Sequence, residues 1–404
     1  MTYAARNLLG MVCALLASAG SAYAQEHHHH AAPPPTCADV SLACADKATP
    51  FLQSDGTLWL AWSANGRVAV VTSRDMGRSF SAPSFVNSAA EKLDAGADSR
   101  PQIVRDPSGR VVVAYTIARD ANYNGQVLTG SSADGVKAFS VPQLLTLSDA
   151  SQRFVAFALD PAGDVFAAWI DKRNLVAAKA AHKKYNGAAL AFAWAGNGKN
   201  FAPATIAHDN TCECCRVGLA FAGPHRPVVI WRNLFAGGVR DHAVMTINGD
   251  QPGPVMRVAE DNWKIDACPH HGPALAVSPS GTYHAAWFTE GSNRQGLFYA
   301  RSADSGVTFG KPTAIGQEDR QPSRPMIFST QHAVWLAWKE FDGAKSLAVT
   351  MVSHDDGMSW SKPKVVAETT DASDHPLMVG SGENVFLSWL TRKEGYRLIT
   401  LGTP

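Results

Sequence analysis

The stretch Ser353-His354-Asp355-Asp356-Gly357-Met358-Ser359-Trp360 has two counterparts elsewhere in the chain. Ser73-Arg74-Asp75-Met76-Gly77-Arg78-Ser79-Phe80 and Ser302-Ala303-Asp304-Ser305-Gly306-Val307-Thr308-Phe309 share its pattern, S-x-D-x-G-x-[ST]-[FW], and all three run on into [SG]-[AK]-P. The residues suit a hairpin turn. The Asp carboxylate accepts backbone N–H groups of its own loop, Gly takes a positive φ, and the closing aromatic tucks between strands. Asp75 with Gly77, Asp304 with Gly306 and Asp355 with Gly357 are therefore structural pairs. Eroded copies occur at Ser132-Ala133-Asp134-Gly135 with Phe139 and at Gly196-Asn197-Gly198 with Phe201. Independent acidic turns would not share their flanks, so the copies mark a repeat.

A longer repeat surrounds the turns. Its core is an apolar strand ending in an aromatic residue, as in Leu58-Trp59-Leu60-Ala61-Trp62, Val165-Phe166-Ala167-Ala168-Trp169 and Val334-Trp335-Leu336-Ala337-Trp338. The closing aromatics are Trp62, Tyr115, Trp169, Trp231, Trp287, Trp338 and Trp389, spaced 53, 54, 62, 56, 51 and 51 residues apart. A period of this size with four short strand signals per copy is what propeller blades require. The expected fold is all-β, a β-propeller of four-stranded antiparallel blades, with seven blades favoured and six the alternative. The seventh copy ends after its third strand, at Arg397 to Leu401, and a strand near Asp39 to Leu42 is the candidate to complete it. Repetition of the tryptophans in blade after blade makes them packing residues rather than a sugar-stacking platform.

The octapeptide resembles the Asp-box, or BNR repeat, of the sialidase superfamily, whose known members are β-propellers. The resemblance implies an exo-sialidase type of glycoside hydrolase as one reading. Sialidases grip their substrate's carboxylate with an arginine triad, and use a tyrosine nucleophile paired with a glutamate and an aspartate acid/base. Catalytic members have six blades, so seven copies are a departure. Loops between second and third strands offer Asp120 with Tyr123, Asp171, Asp241 with His242, Glu290 and Glu340. None sits in a motif that matches the family residue by residue; Asp120, Tyr123 and Glu290 are the catalytic candidates.

Residues 1–24 read as a secretory signal peptide: basic Arg6, the apolar run Leu8 to Ala17, and Ala22-Tyr23-Ala24 as cleavage site. The protein is then periplasmic or secreted after cleavage near Ala24, with a His/Pro-rich leader at 25–36 and a single propeller domain at 37–404. No apolar run is long enough for a permanent span. Net charge is +1 with the signs well mixed, which argues against nucleic acid as a partner. His27, His28, His29 and His30 in the leader can bind a metal through neutral imidazole, or be a polar tail. Six cysteines remain beyond the signal peptide, and Cys37 and Cys44 are expected to pair.

The residues that immediately precede the first strands ring one mouth of the channel, opposite the octapeptide turns. They are Arg100, Arg153, Arg216, His270-His271, Arg324 and His375. Such a ring could hold a carboxylate or phosphate, or salt-bridge to Asp98, Asp319 and Asp374 nearby. Thr211-Cys212-Glu213-Cys214-Cys215-Arg216 enters blade four and Asp266-Ala267-Cys268-Pro269-His270-His271 enters blade five. Equivalent loops on adjacent blades should meet, gathering Cys212, Cys214, Cys215, Cys268, His270 and His271. Thiolate and imidazole ligands select copper or zinc; the alternative is a disulfide scaffold, with Cys268 within bonding distance of one of the other three. The leading reading is a propeller that binds a metal, small molecule or sugar at this cluster, copper first among the metals. The others are the hydrolase, using Arg100, Arg216 and Arg324, and a platform for a protein partner.

Overall fold

The structure, a computed structural model, describes residues 37–94, 96, 98–133, 135–267 and 269–402. Seven antiparallel sheets follow one another along the chain. The first strand of each packs beside the first strand of the next, and that of blade seven (Leu377–Ser381) returns to that of blade one (Lys47–Leu52), so the ring closes as a seven-bladed β-propeller. Five sheets have four strands in plain succession. Blade four replaces its outer strand with two short pieces, Gln251–Pro252 and Met256–Arg257. One short helix, Arg173–Ala180, fills the loop between the second and third strands of blade three.

Stacking explains why the second strands read as unbroken apolar runs. Every residue of Leu58–Ala64, Val165–Asp171 and Pro227–Arg232 is buried, because both faces of a blade are covered by neighbours. Alternate side chains serve alternate blades. Ala167 and Trp169 pack towards blade two, with Ala114 and Val127, while Phe166, Ala168 and Ile170 pack towards blade four, with Val229 and Trp231. Trp62, Trp169, Trp231, Trp287, Trp338 and Trp389 are all fully buried core residues. A buried indole N–H needs an acceptor, and residues at or beyond the strand ends supply it: Asp171 for Trp169 (2.9 Å), Asn233 for Trp231 (3.2 Å), Asp261 for Trp287 (2.7 Å) and Glu340 for Trp338 (2.7 Å).

The ring does not close as expected at the N-terminus. Leu42–Cys44 is a turn of 3₁₀-helix, no strand forms near Asp39 to Leu42, and blade seven keeps three strands. The disulfide Cys37–Cys44, expected from the sequence, gives the reason. It holds Cα atoms seven residues apart at 5.4 Å, where an extended run would separate them by about 23 Å. Val40 and Leu42 instead pack onto the core that blades seven and one share with Trp62. Asp374 of blade seven then ties the seam, accepting the Ala48 N–H at 3.2 Å and both terminal nitrogens of Arg100 at 3.1 and 2.8 Å.

The three octapeptides are superimposable in their bonding. Ser73, Ser302 and Ser353 hydroxyls donate to the Asp at 2.7, 2.6 and 2.7 Å, and accept the Gly N–H at 2.8, 2.9 and 2.8 Å. Each Asp also accepts the N–H of Ser79, Thr308 or Ser359 at 2.8–2.9 Å. Gly77, Gly306 and Gly357 have φ of 80–85°, the left-handed region that glycine reaches without a Cβ penalty. The hydroxyl and amide donors hold the carboxyls of Asp304 and Asp355 down to about 2, and that of Asp75 lower still. A folded-state pKa below the unfolded one means the stabilisation is present above about 4 and is lost as pH falls towards 2. The triple variant Asp75→Asn/Asp304→Asn/Asp355→Asn should therefore melt below the wild type at pH 7, with the gap narrowing between pH 5 and pH 2. A gap independent of pH would show that these turns do not titrate with folding.

The turns sit on the face opposite the cysteine loop. Asp356 accepts from Ser280 (2.9 Å) and Thr282 (2.5 Å), in the turn joining the first two strands of blade five. The Cys212 N–H, by contrast, donates to Arg232 O, at the far end of a second strand. The signal peptide at 1–24, the leader with His27, His28, His29 and His30, Asp134 and Cys268 lie outside the described residues. Among the described residues, no helix is long and apolar enough to cross a membrane.

Candidate metal centre at the channel mouth

The outer strand of blade three ends at Thr211 and the inner strand of blade four begins at Gly218, so the chain must cross from rim to axis in six residues. Residues 212–217 make that crossing. The Cys212 N–H is fixed to Arg232 O at 2.9 Å, and Glu213 reaches out to Lys172 at 2.6 Å. With both anchored, Cys212, Cys214 and Cys215 turn inward and are only 1–2% exposed. Their sulphurs lie within 4.8 Å of one another, with Cys212 and Cys214 at 3.1 Å. Among the described residues this is the group of cysteine, histidine and carboxylate donors close enough to share one metal ion.

The surroundings are cationic. Arg240 Nη1 donates to Cys212 Sγ at 3.6 Å and to Ala267 O at 3.0 Å, so the loops entering blades four and five do meet. Hydrogen bonds from Cys214 and Cys215 draw the Cys212 thiol well below the ordinary thiol range, against burial and with help from Arg232 and Arg240. Cys215, whose proton is held by Cys212 and which is also buried, is pushed up. The two shifts run in opposite directions because the neighbouring thiols share hydrogen bonds with Cys212.

Two residues beneath it were not among the sequence-derived ligands. Arg232, at the end of the second strand of blade four, is 1% exposed, and its Nε and Nη1 have no hydrogen-bond partner among the described residues. Its cross-strand partner His242 is equally buried, with neither ring nitrogen satisfied, and burial with the nearby arginines keeps that ring neutral. Buried guanidinium donors without an acceptor are costly, and the sulphurs beside them are acceptors of the right sign once deprotonated. The sequence showed His242 only as a loop neighbour of Asp241; that it faces the same pocket as Arg232 follows from strand register.

His270 and His271 reach the same mouth but point elsewhere. His271 stacks on Phe288 with ring centroids 4.2 Å apart, and His270 lies 6.1 Å from Phe154. Neither imidazole falls within the 4.8 Å group formed by the three sulphurs.

Arg100 and Arg216 precede first strands as expected, but Arg153 and Arg324 fall inside theirs, Gln152–Leu159 and Ser323–Ser329, and each of the four binds a carboxylate of the chain itself. Arg153 holds Asp94 through Nε and Nη2 (2.6 and 3.0 Å), and Arg100 holds Asp374. Arg216 and Arg324 share Asp98 Oδ1 at 3.2 and 3.4 Å, while Asp98 Oδ2 accepts the Gly272 N–H at 3.0 Å. Asp98 comes from the loop entering blade two, so that loop reaches across the axis to blades four, five and six. His375 is buried here and held neutral by burial and by Arg324 and Arg100.

The remaining candidates are scattered. Asp120 accepts the Asn122 and Asn124 N–H groups at 2.8 and 3.2 Å, shaping its own turn, and Tyr123 is largely exposed, with the Arg153 guanidinium 5.8 Å from its ring. Glu290 is on blade five, its carboxyl raised by partial burial and by Glu318. Asp171, Asp241 and Glu340 bind Trp169, Arg257 and Trp338 respectively.

No protein-family model matches this chain, and no curated protein matches it by sequence. Among solved structures it resembles the BP39L lectin from Burkholderia pseudomallei, with a TM-score of 0.61 at 11% identity over 88% of this chain and 97% of the lectin. An ulvan lyase bound to -[GlcA(1-4)Rha3S]- matches with a TM-score of 0.55 at 11% identity, covering 89% and 91% of the two chains. The sialidase Hz136 gives a TM-score of 0.47 at 14% identity over 73% and 63%. Such likenesses speak to the fold alone: a β-propeller.

Proposed function

We propose that this sialidase-like propeller is an exported binding protein that holds a soft metal ion, Cu(I) first, at Cys212, Cys214 and Cys215. The observation that carries the reading is three buried sulphurs within 4.8 Å of one another. Thiolates favour Cu(I) and Zn²⁺ over harder ions. Structural zinc is closed by four ligands, whereas Cu(I) is content with three, the number the described residues bring together. Charge points the same way, since three thiolates around a monovalent ion leave two negative charges, which Arg232 and Arg240 offset. Zinc would need a fourth donor, for which Cys268, His270 and His271 on the facing loop are the candidates.

The test is a competition titration of purified, reduced protein with Cu(I) and Zn²⁺ against chelators of known affinity. One Cu(I) per chain, not displaced by zinc, is the expected result. Zinc displacing copper would reverse the choice of metal, and His270→Ala/His271→Ala should then lower zinc affinity. Failure to bind either ion rejects the reading in favour of a disulfide scaffold. Carbohydrate binding is the second reading, favoured by the likeness to a lectin over nearly its whole length. A glycan array tests it, and turnover of a fluorogenic sialoside would establish the hydrolase instead.

A further inference from the structure

If the thiol cluster binds a metal as proposed, its surroundings also bear on the form in which the ion arrives. The sulphurs are buried, so an ion reaches them only past the side chains that cover the loop. A cavity of about 440 Å³ opens at this point, lined by Leu234, Gly238, Arg240, Lys264, Ile265 and Asp266. Arg240 belongs to both places: it walls the cavity and donates to Cys212 Sγ at 3.6 Å. The volume lies within the span of small-molecule sites, roughly 300–1,000 Å³.

The cavity's charge runs against a free cation. Arg240 and Lys264 contribute two positive charges and Asp266 one negative. The Arg240–Asp266 pair is 3.8 Å long with the carboxylate fully exposed, so solvent screens it heavily. Lys264 is exposed, with no ion pair among the described residues. A cationic vestibule disfavours hydrated Cu⁺ or Zn²⁺ and concentrates anions. Leu234 and Ile265 add an apolar wall against which the carbon skeleton of a chelator can lie.

We infer that the cluster is loaded from an anionic, carboxylate-bearing metal chelate that docks in this cavity, and not from the free ion or a cationic complex. The transfer is ligand exchange without redox change. Each new metal–sulphur bond replaces one bond to the chelator, the chelator departs as its anion, and protons displaced from the thiols go to solvent. Arg240 is the positioning residue between the two compartments, and Lys264 is the recruiting charge.

Stopped-flow transfer of Cu(I) from two donors of opposite charge tests this: the anionic bicinchoninate complex and the cationic acetonitrile complex. Wild type is compared with Lys264→Glu and Asp266→Lys, both exposed positions outside the thiol cluster. At low ionic strength Lys264→Glu should slow transfer from the anionic donor about tenfold and speed transfer from the cationic one. Asp266→Lys should do the reverse, high salt should erase both effects, and final stoichiometry should not change. Rates that ignore donor charge, or that move together for both donors, overturn the docking inference while leaving the metal site standing. If wild type takes copper from neither donor, the metal reading fails and this inference falls with it.

Discussion

Asp98→Ala is expected to lower the unfolding free energy by about 3–5 kcal/mol, the cost of stranding buried charge when one partner of an ion pair is removed. Asp98 is fully buried at its side chain and serves Arg216, Arg324 and the Gly272 N–H at once. Removing it leaves two guanidiniums facing each other near the axis with no counter-charge. Asp98→Asn keeps an acceptor for Gly272 but not the charge, and should be intermediate. Denaturant unfolding with an unchanged slope and a lower midpoint is the readout. Acetate should partly restore the Asp98→Ala variant, because the vacated carboxylate position is bounded by Arg216 and Arg324. A loss below about 1 kcal/mol would mean that water in the channel already solvates the pair. This result bears on function too. The arginine ring that could have gripped a substrate carboxylate is engaged internally by Asp94, Asp98 and Asp374.

Cys212→Ser/Cys215→Ser should lower Cu(I) affinity by at least about a hundredfold, more than the 10–100-fold expected from losing an outer-shell partner. Serine fills nearly the same space, so the ring of blades should persist, with far-ultraviolet circular dichroism unchanged. The hydroxyl is a hard, neutral donor where a soft thiolate stood, and the Arg232 and Arg240 charges would then lack their counterpart. Loss of copper without loss of fold supports a binding site. Unaltered copper binding would move the site elsewhere, with the histidine run at His27, His28, His29 and His30 the first place to look. Unfolding of the variant with no metal effect in Cys215→Ser alone would make the cluster a packing element.

What could be read from residues alone was local. The octapeptides announced their turns because each Asp, Ser and Gly bonds within four residues of itself. The blade count followed from the spacing of Trp62 to Trp389, since every blade must present one large residue to the neighbour it stacks on. The Cys37–Cys44 bridge was legible for the same reason, its partners being seven residues apart. The loops entering blades four and five are bridged by Arg240, while the His270 and His271 rings lie outside the sulphur group.

Closure of the ring was a different matter. By sequence a strand is expected near Asp39 to Leu42, and the short disulfide loop forbids one. Whether Arg100 would face a ligand or Asp374 depended on a contact spanning 274 residues, between blades two and seven, which flank blade one only once the ring has closed. The same holds for Asp98 crossing the axis to Arg324, and for His242 and Arg232 turning the same way beside the thiols. Short-range pattern determined the turns, the strands and the number of blades, because backbone bonding within a blade is satisfied locally. Only the closed ring decided which charges are paired across the axis, because those energies depend on side chains brought together by the stacking of all seven blades.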